Sequence, residues 1–138
     1  MVKFFATLVL LLSATLSVSA EKYEGQIDDK YDIIVNLDVN YDTGKVTGKY
    51  YYKSTIKKYG KKPSSYLYMS GTYSSDQTGQ AGKIQLRVTD HKGNYVETWN
   101  GMLGIGNNVM HIDGTITMKN GKRLPVSVEY WYHYPLFP

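Results

Sequence analysis

The chain has no cysteine, so it can form no disulfide framework and offers neither a thiol nucleophile nor a thiolate metal ligand. Its three histidines do not fall at metal-ligand spacing: His91 sits in an Asp-His-Lys-Gly turn, His111 in a strand-like run and His133 near the end. No metal is implied. No stretch carries helical periodicity, so no glycine-rich phosphate loop can open a helix, and no cofactor is implied. Only the first residues form a sizeable apolar run, and it falls short of the roughly 20 residues that cross a bilayer as a helix. Excess charge of one sign is also small: 16 Lys and Arg against 12 Asp and Glu leave a formal +4, which is not a nucleic-acid-binding composition. What is present is a chain of 138 residues, 42% hydrophobic, with 14 tyrosines and 13 glycines. That suffices for one domain with a real core, not for two.

Residues 1–20 read as a secretory leader. Lys3 supplies a positive start, Phe4 to Leu12 a short apolar run, and Ser17-Val18-Ser19-Ala20 the small residues that flank a cleavage point before Glu21. The competing reading is an uncleaved interfacial helix. Cleavage after Ala20 leaves a single domain, residues 21–138, with no membrane span. Export without cysteine or an N-x-S/T sequon fits a periplasmic or secreted protein.

From residue 30 onward the dominant period is two. Tyr31, Ile33, Val35, Leu37 and Val39 alternate with Asp32, Asn36 and Asp38, the pattern of a strand with one buried face. Further strands are expected at Val46 to Ser54, Tyr66–Tyr73, Lys83–Thr89, Tyr95–Leu103, Val109–Met118 and Leu124–Tyr132, with a short one near Tyr23–Ile27. Between them lie turn sequences such as Asp76-Gln77-Thr78-Gly79, Lys92-Gly93-Asn94 and Asn120-Gly121. The expectation is an all-β antiparallel up-and-down meander of about eight strands, most stable when closed into a small barrel that leaves no edges. Gly25, Gly48, Gly71, Gly101 and Gly114 each stand two residues before an apolar one inside a strand, which suits barrel corners. An open two-sheet sandwich is the competing arrangement.

The order of motifs resembles the avidin/streptavidin family of calycin-type barrels. Asp42-Thr43-Gly44-Lys45-Val46-Thr47-Gly48-Lys49-Tyr50 is similar to that family's second hairpin, Met69-Ser70-Gly71-Thr72-Tyr73 to its next strand, and Glu97-Thr98-Trp99-Asn100-Gly101 to its Thr-Thr-Trp-Ser-Gly segment. The resemblance covers most of the mature chain at the level of pattern. It implies an eight-stranded barrel and a possible homo-oligomer assembled through barrel surfaces. Tyr50 and Trp99 match pocket residues of the family. Asp29 stands where the family has an Asn, and Ile33 where a Ser follows. The tryptophans expected near Ile84–Val88 and Val109–Met118 are absent. Tyr52, Tyr95 and Glu97 replace smaller residues and should fill the space that biotin needs, so the resemblance implies the fold and argues against that ligand.

Alternation also yields an inward face, with Glu97 between Tyr95 and Trp99 and with Tyr31, Tyr50, Tyr52 and Tyr73 on the same side. Asp29 falls at the same end as Glu97. A carboxylate and several phenols beside apolar walls make a candidate small-ligand site of Asp29, Tyr31, Tyr50, Tyr52, Tyr73, Tyr95, Glu97 and Trp99. The alternative is a filled core in which Glu97 accepts hydrogen bonds from Tyr50 or Tyr52, because a buried carboxylate must be paired.

Two surface features stand apart. Lys53, Lys57, Lys58, Lys61 and Lys62 crowd the longest connection among tyrosines, a mixture that suits polyanions, carbohydrate, single-stranded nucleic acid or simply a solvated hairpin loop. Trp131 and Tyr132 belong to an aromatic C-terminal run too apolar for a free strand face. His111 and Asp113 share a face but point outward, and no motif marks a serine nucleophile, so no enzyme is implied. The expected function is an exported binding module for a small or medium-sized ligand other than biotin. The alternative is a protein-interaction or inhibitor domain acting through Lys57, Lys58, Lys61 and Lys62 or through Trp131 and Tyr132. Nucleic acid is not an expected partner.

Overall fold

The computed structural model describes residues 18–132. Most of the segment read as a leader, and the tail from His133 onward, lie outside the described residues. Eight strands follow one another: β1 (Val18–Ile27), β2 (Tyr31–Asn40), β3 (Lys45–Tyr52), β4 (Leu67–Ser75), β5 (Ala81–Thr89), β6 (Tyr95–Ile105), β7 (Val109–Met118) and β8 (Arg123–Trp131). Each pairs antiparallel with its neighbour in sequence, and β8 returns to β1, so the sheet closes into a barrel rather than splitting into a sandwich. Closure rests on a short ladder in which Glu24 to Ile27 of β1 face Glu129 to Val126 of β8. β1 is longer than the sequence suggests: Val18, Ser19 and Ala20, the last residues of the expected leader, pair with Asn40, Val39 and Asp38.

The alternation visible in the sequence sets the two faces. Ile33, Val35 and Leu37 of β2, Ile84, Leu86 and Val88 of β5, and Ile112 and Ile116 of β7 are buried inside the barrel, while Lys83, Gln85 and Arg87 between them point to solvent. Ile34 is buried although its parity is outward, and the 3-10 turn Lys53–Thr55 packs against the same strand. Between strands, Asn40, Asp76, Asp90 and Asn120 fold their side chains back onto the backbone N–H groups of the turns they begin.

The strand glycines answer to close approach between neighbouring backbones. A Cβ on Gly71 would lie 1.8 Å from the Gln85 carbonyl oxygen. Gly101 and Gly114 pair directly across β6 and β7, and a Cβ on Gly114 would lie 2.7 Å from the Gly101 Cα. Missing side chains let the strands coil tightly at these corners.

One register detail redirects a side chain. Val88 faces Glu97, but the next residue, Thr89, faces Tyr95, so Val96 is an extra residue in β6. This bulge turns Val96 against the core and swings Tyr95 to the outer face. There the Tyr95 ring lies under the Arg87 guanidinium at 5.1 Å, and its hydroxyl meets the Thr98 hydroxyl at 2.7 Å. The expected inward position of Tyr95 is thereby corrected.

Candidate functional site at the Glu97 end of the barrel

The connections divide between the two ends of the barrel. The β1–β2, β3–β4, β5–β6 and β7–β8 connections ring one end, and the β2–β3, β4–β5 and β6–β7 turns ring the other. Glu97, third residue of β6, lies inside the first end. Its carboxylate oxygen Oε2 accepts the Tyr50 hydroxyl at 2.9 Å and the Trp99 indole N–H at 2.6 Å. Glu97, Tyr50 and Trp99 are 3%, 0% and 2% exposed, so this carboxylate is closed off from solvent. Trp99 reaches it because residues two apart on a strand share a face, and Tyr50 comes across from β3. The Tyr50 ring tilts against Trp99 with centroids 5.0 Å apart and meets Tyr52 edge-on at 5.9 Å. Burial and the neighbouring Glu97 charge push the Tyr50 hydroxyl far above its ordinary value, so it stays a neutral donor.

The eight candidate ligand residues therefore do not converge on one cup. Glu97, Trp99 and Tyr50 form a closed hydrogen-bonded cluster, with half-buried Tyr52 above it. Tyr31 is in the inward register but sits at the rim, 51% exposed, its ring edge-on to Tyr52 at 6.3 Å. Asp29 lies at the same end but in the β1–β2 turn, exposed and with left-handed backbone (φ 53°). Tyr95 faces outward because of the bulge. Tyr73 lies at the opposite end, where its ring meets Tyr41 edge-on at 5.3 Å. What remains open at the mouth is a recess of about 380 Å³ lined by Lys30, Tyr31, Asp32, Tyr52, Lys53 and Ser54.

A second buried carboxylate has no counterpart in the sequence reading. Glu21, 3% exposed, accepts the Tyr23 hydroxyl on Oε1 and the Tyr41 hydroxyl on Oε2, each at 2.5 Å. It occupies the other end of the barrel, with Tyr73 and Tyr130 nearby. Burial, reinforced by Glu21, pushes both phenols well up. The signal was available: Glu21-x-Tyr23 repeats the spacing of Glu97-x-Trp99. A cleavage point immediately before Glu21 implies a chain end, whereas Glu21 is a core position in the structure.

Outside the barrel, the β3–β4 connection is itself a small hairpin. Ile56 bridges Pro63, the Lys57 N–H donates to the Lys62 carbonyl at 2.9 Å, and the Lys61 N–H donates to the Lys57 carbonyl at 3.1 Å. Lys57, Lys58, Lys61 and Lys62 are exposed, and Tyr59 at the tip is 92% exposed. Among the described residues none of these four lysines has a carboxylate within 4.0 Å, whereas Lys53 at the base reaches Glu24 at 4.0 Å.

Trp131 is 65% exposed and donates its indole N–H to Glu129 at 3.0 Å, while Tyr132 turns inward and donates its hydroxyl to the Gly106 carbonyl at 2.8 Å. An open groove of about 480 Å³ runs beside Trp131 along Lys22, Glu24, Glu129 and Tyr130. His111 and Asp113 do face outward but engage β8 separately, His111 at 4.0 Å from Glu129 and Asp113 accepting the Ser127 hydroxyl at 2.7 Å. Among the described residues no cluster of three or more His, Asp or Glu could hold a metal ion, and no helix is long and apolar enough to cross a membrane.

Fold and site together define an antiparallel eight-stranded meander barrel, compatible with a calycin or avidin-like architecture. Neither a known family model nor a curated protein matches the chain.

Proposed function

We propose that this chain is an exported, non-enzymatic binding module with an avidin-like barrel, and that its partner is held on the outside rather than within. The carrying observation is the state of Glu97. Both donors beside it are already spent on its carboxylate, and every buried side-chain polar atom among the described residues has a partner. A group so enclosed orients no ligand; it fastens the plug of the barrel. Eight-stranded barrels of this diameter are readily filled by their own side chains. The groups free to meet a partner at this end are those of the Lys57–Lys62 hairpin and the rim.

A second reading keeps a small ligand, seated in the mouth recess between Tyr31, Tyr52 and Lys53. Tyr31 and Tyr52 are two of the eight residues expected from the sequence, and they offer ring faces at a polar rim. Native mass spectrometry of the purified protein before and after gentle denaturation separates the two. A clean apo mass supports the exterior reading. A small molecule released only on unfolding overturns it.

A further inference from the structure

Resting on the exterior reading, the geometry points to an anionic polysaccharide as the partner, held across the Lys57–Lys62 hairpin and the adjoining mouth recess. The first observation is a segregation of charge along the barrel axis. The four connections at the Glu97 end hold nine lysines against three aspartates; the three turns at the other end hold two aspartates and no lysine or arginine. Nine less three leaves +6 at that end alone, more than the formal +4 of the whole chain, so positive charge is concentrated on one face of a molecule whose overall balance is modest. Cations gathered at one end of a small barrel add to one field, which salt screens over a Debye length of about 8 Å.

The second observation is that, among the described residues, no carboxylate pairs with the hairpin lysines; Lys58 meets the Tyr59 ring at 5.8 Å. Backbone hydrogen bonds between Lys57 and Lys62 and the Ile56–Pro63 bridge fix its shape, so four lysines are kept together in spite of their repulsion and, among the described residues, with no carboxylate within 4.0 Å. They flank the Tyr59-Gly60 tip in two pairs, one on each arm of the hairpin, and all four are exposed. That arrangement suits charges repeated along a polymer, not a single small anion.

The third observation selects the polymer. Tyr59 at the hairpin tip and Tyr31 at the rim expose aromatic faces among the lysines, with the recess of about 380 Å³ lying beside Tyr31. Pyranose rings present C–H faces that pack on such tyrosines while their carboxylates or sulfates meet the lysines. Among the described residues no exposed aliphatic side chain of the size of Leu, Ile or Met accompanies this face, and exposed Met102 lies toward the other end, which favours a polymer over a bilayer as the polyanion. Single-stranded nucleic acid shares the stacking chemistry and is distinguished by experiment.

The test is binding of the purified protein to polygalacturonate and to dextran sulfate. Uncharged dextran, a thymidine oligonucleotide and phosphatidylglycerol vesicles serve as separate arms. Both anionic polysaccharides should bind, with log K falling linearly as log salt rises, and dextran should not. Replacing Lys57, Lys58, Lys61 and Lys62 together by Gln should weaken binding at least tenfold with unchanged circular dichroism and melting temperature. Tyr59→Ala should weaken polygalacturonate binding about threefold at high salt, where the charge contribution is screened. Equal binding by the quadruple variant, or binding confined to the oligonucleotide or the vesicles, overturns the proposal. Absence of polysaccharide binding together with a clean apo mass overturns this proposal alone. A small molecule released on unfolding overturns the exterior reading beneath it.

Discussion

The Trp99 indole N–H donates to the Glu97 carboxylate two residues before it, at 2.6 Å, on the same inward face of β6. Tyr50 donates to the same oxygen from across the barrel. Removing the carboxylate orphans two buried donors, and each orphan costs about 1–3 kcal/mol. Glu97→Ala should therefore destabilise by about 2–6 kcal/mol, the sum of two such orphans. Glu97→Gln, which retains a carbonyl oxygen, should cost clearly less. Urea denaturation of both variants measures the difference; equal losses would mean that the cluster is held by packing rather than by its hydrogen bonds.

Much of this cluster is legible in the sequence. Alternation places Glu97, Trp99 and Tyr50 on the inward face, and the need to pair a buried carboxylate makes Tyr50 a natural donor. The same period misplaces Tyr95, because one extra residue, Val96, reverses the parity of everything before it in β6. It also groups Tyr73 with Glu97 although they occupy opposite ends. Parity fixes which face a residue takes, but its height along the barrel depends on the stagger between strands, which no single strand reveals. Closure itself follows from the meander, since a chain of short hairpins leaves two edges that only each other can satisfy.

The phenols of Tyr23, Tyr41 and Tyr50 predict the alkaline limit of stability. Burial raises each above its ordinary value of 10.0, with Glu21 or Glu97 adding to the shift. In the unfolded chain the same groups ionise near 10. Their contribution is thus complete below about pH 10 and declines above it, as the unfolded state gains by releasing protons that the folded state retains. Absorbance at 295 nm should show a fraction of the tyrosines titrating only together with loss of circular dichroism. Smooth titration of all tyrosines in the folded protein would contradict this.

Gly71 tests the close approach of β4 and β5. A methyl group there would meet the Gln85 carbonyl oxygen at 1.8 Å, and its three nearest atoms all belong to the β5 backbone, so no flexible side chain is there to give way. Gly71→Ala should cost about 1–3 kcal/mol or more, as overpacking does. Gly79→Ala in the β4–β5 turn is the informative control, since its Cβ meets nothing within 4 Å and only its positive φ (72°) is strained. Thermal melts should rank Gly71→Ala well below Gly79→Ala. The reverse order would place the constraint in the turn instead of the strand pair.

Asp76 and Asp90 contribute to the acid limb. Backbone N–H and side-chain donation from Asn94, with the Lys92 N–H, holds the Asp90 carboxyl below its ordinary 3.8; the Thr78 side chain, with the Thr78 and Gly79 N–H groups, does the same for Asp76. These hydrogen bonds favour the ionised form, so the unfolded state binds protons first as pH falls. The stabilisation is present above 3.8 and is lost as pH drops through the lowered folded values. Carbon-13 titration should show both carboxyls ionising below the ordinary aspartate range. Asp90→Asn keeps an oxygen acceptor for the Lys92 and Asn94 N–H groups at 2.9 Å, so the turn should survive while its share of the acid dependence disappears. If the substitution instead leaves the acid limb unchanged, the Asp90 carboxylate is held no more firmly in the folded turn than in the open chain.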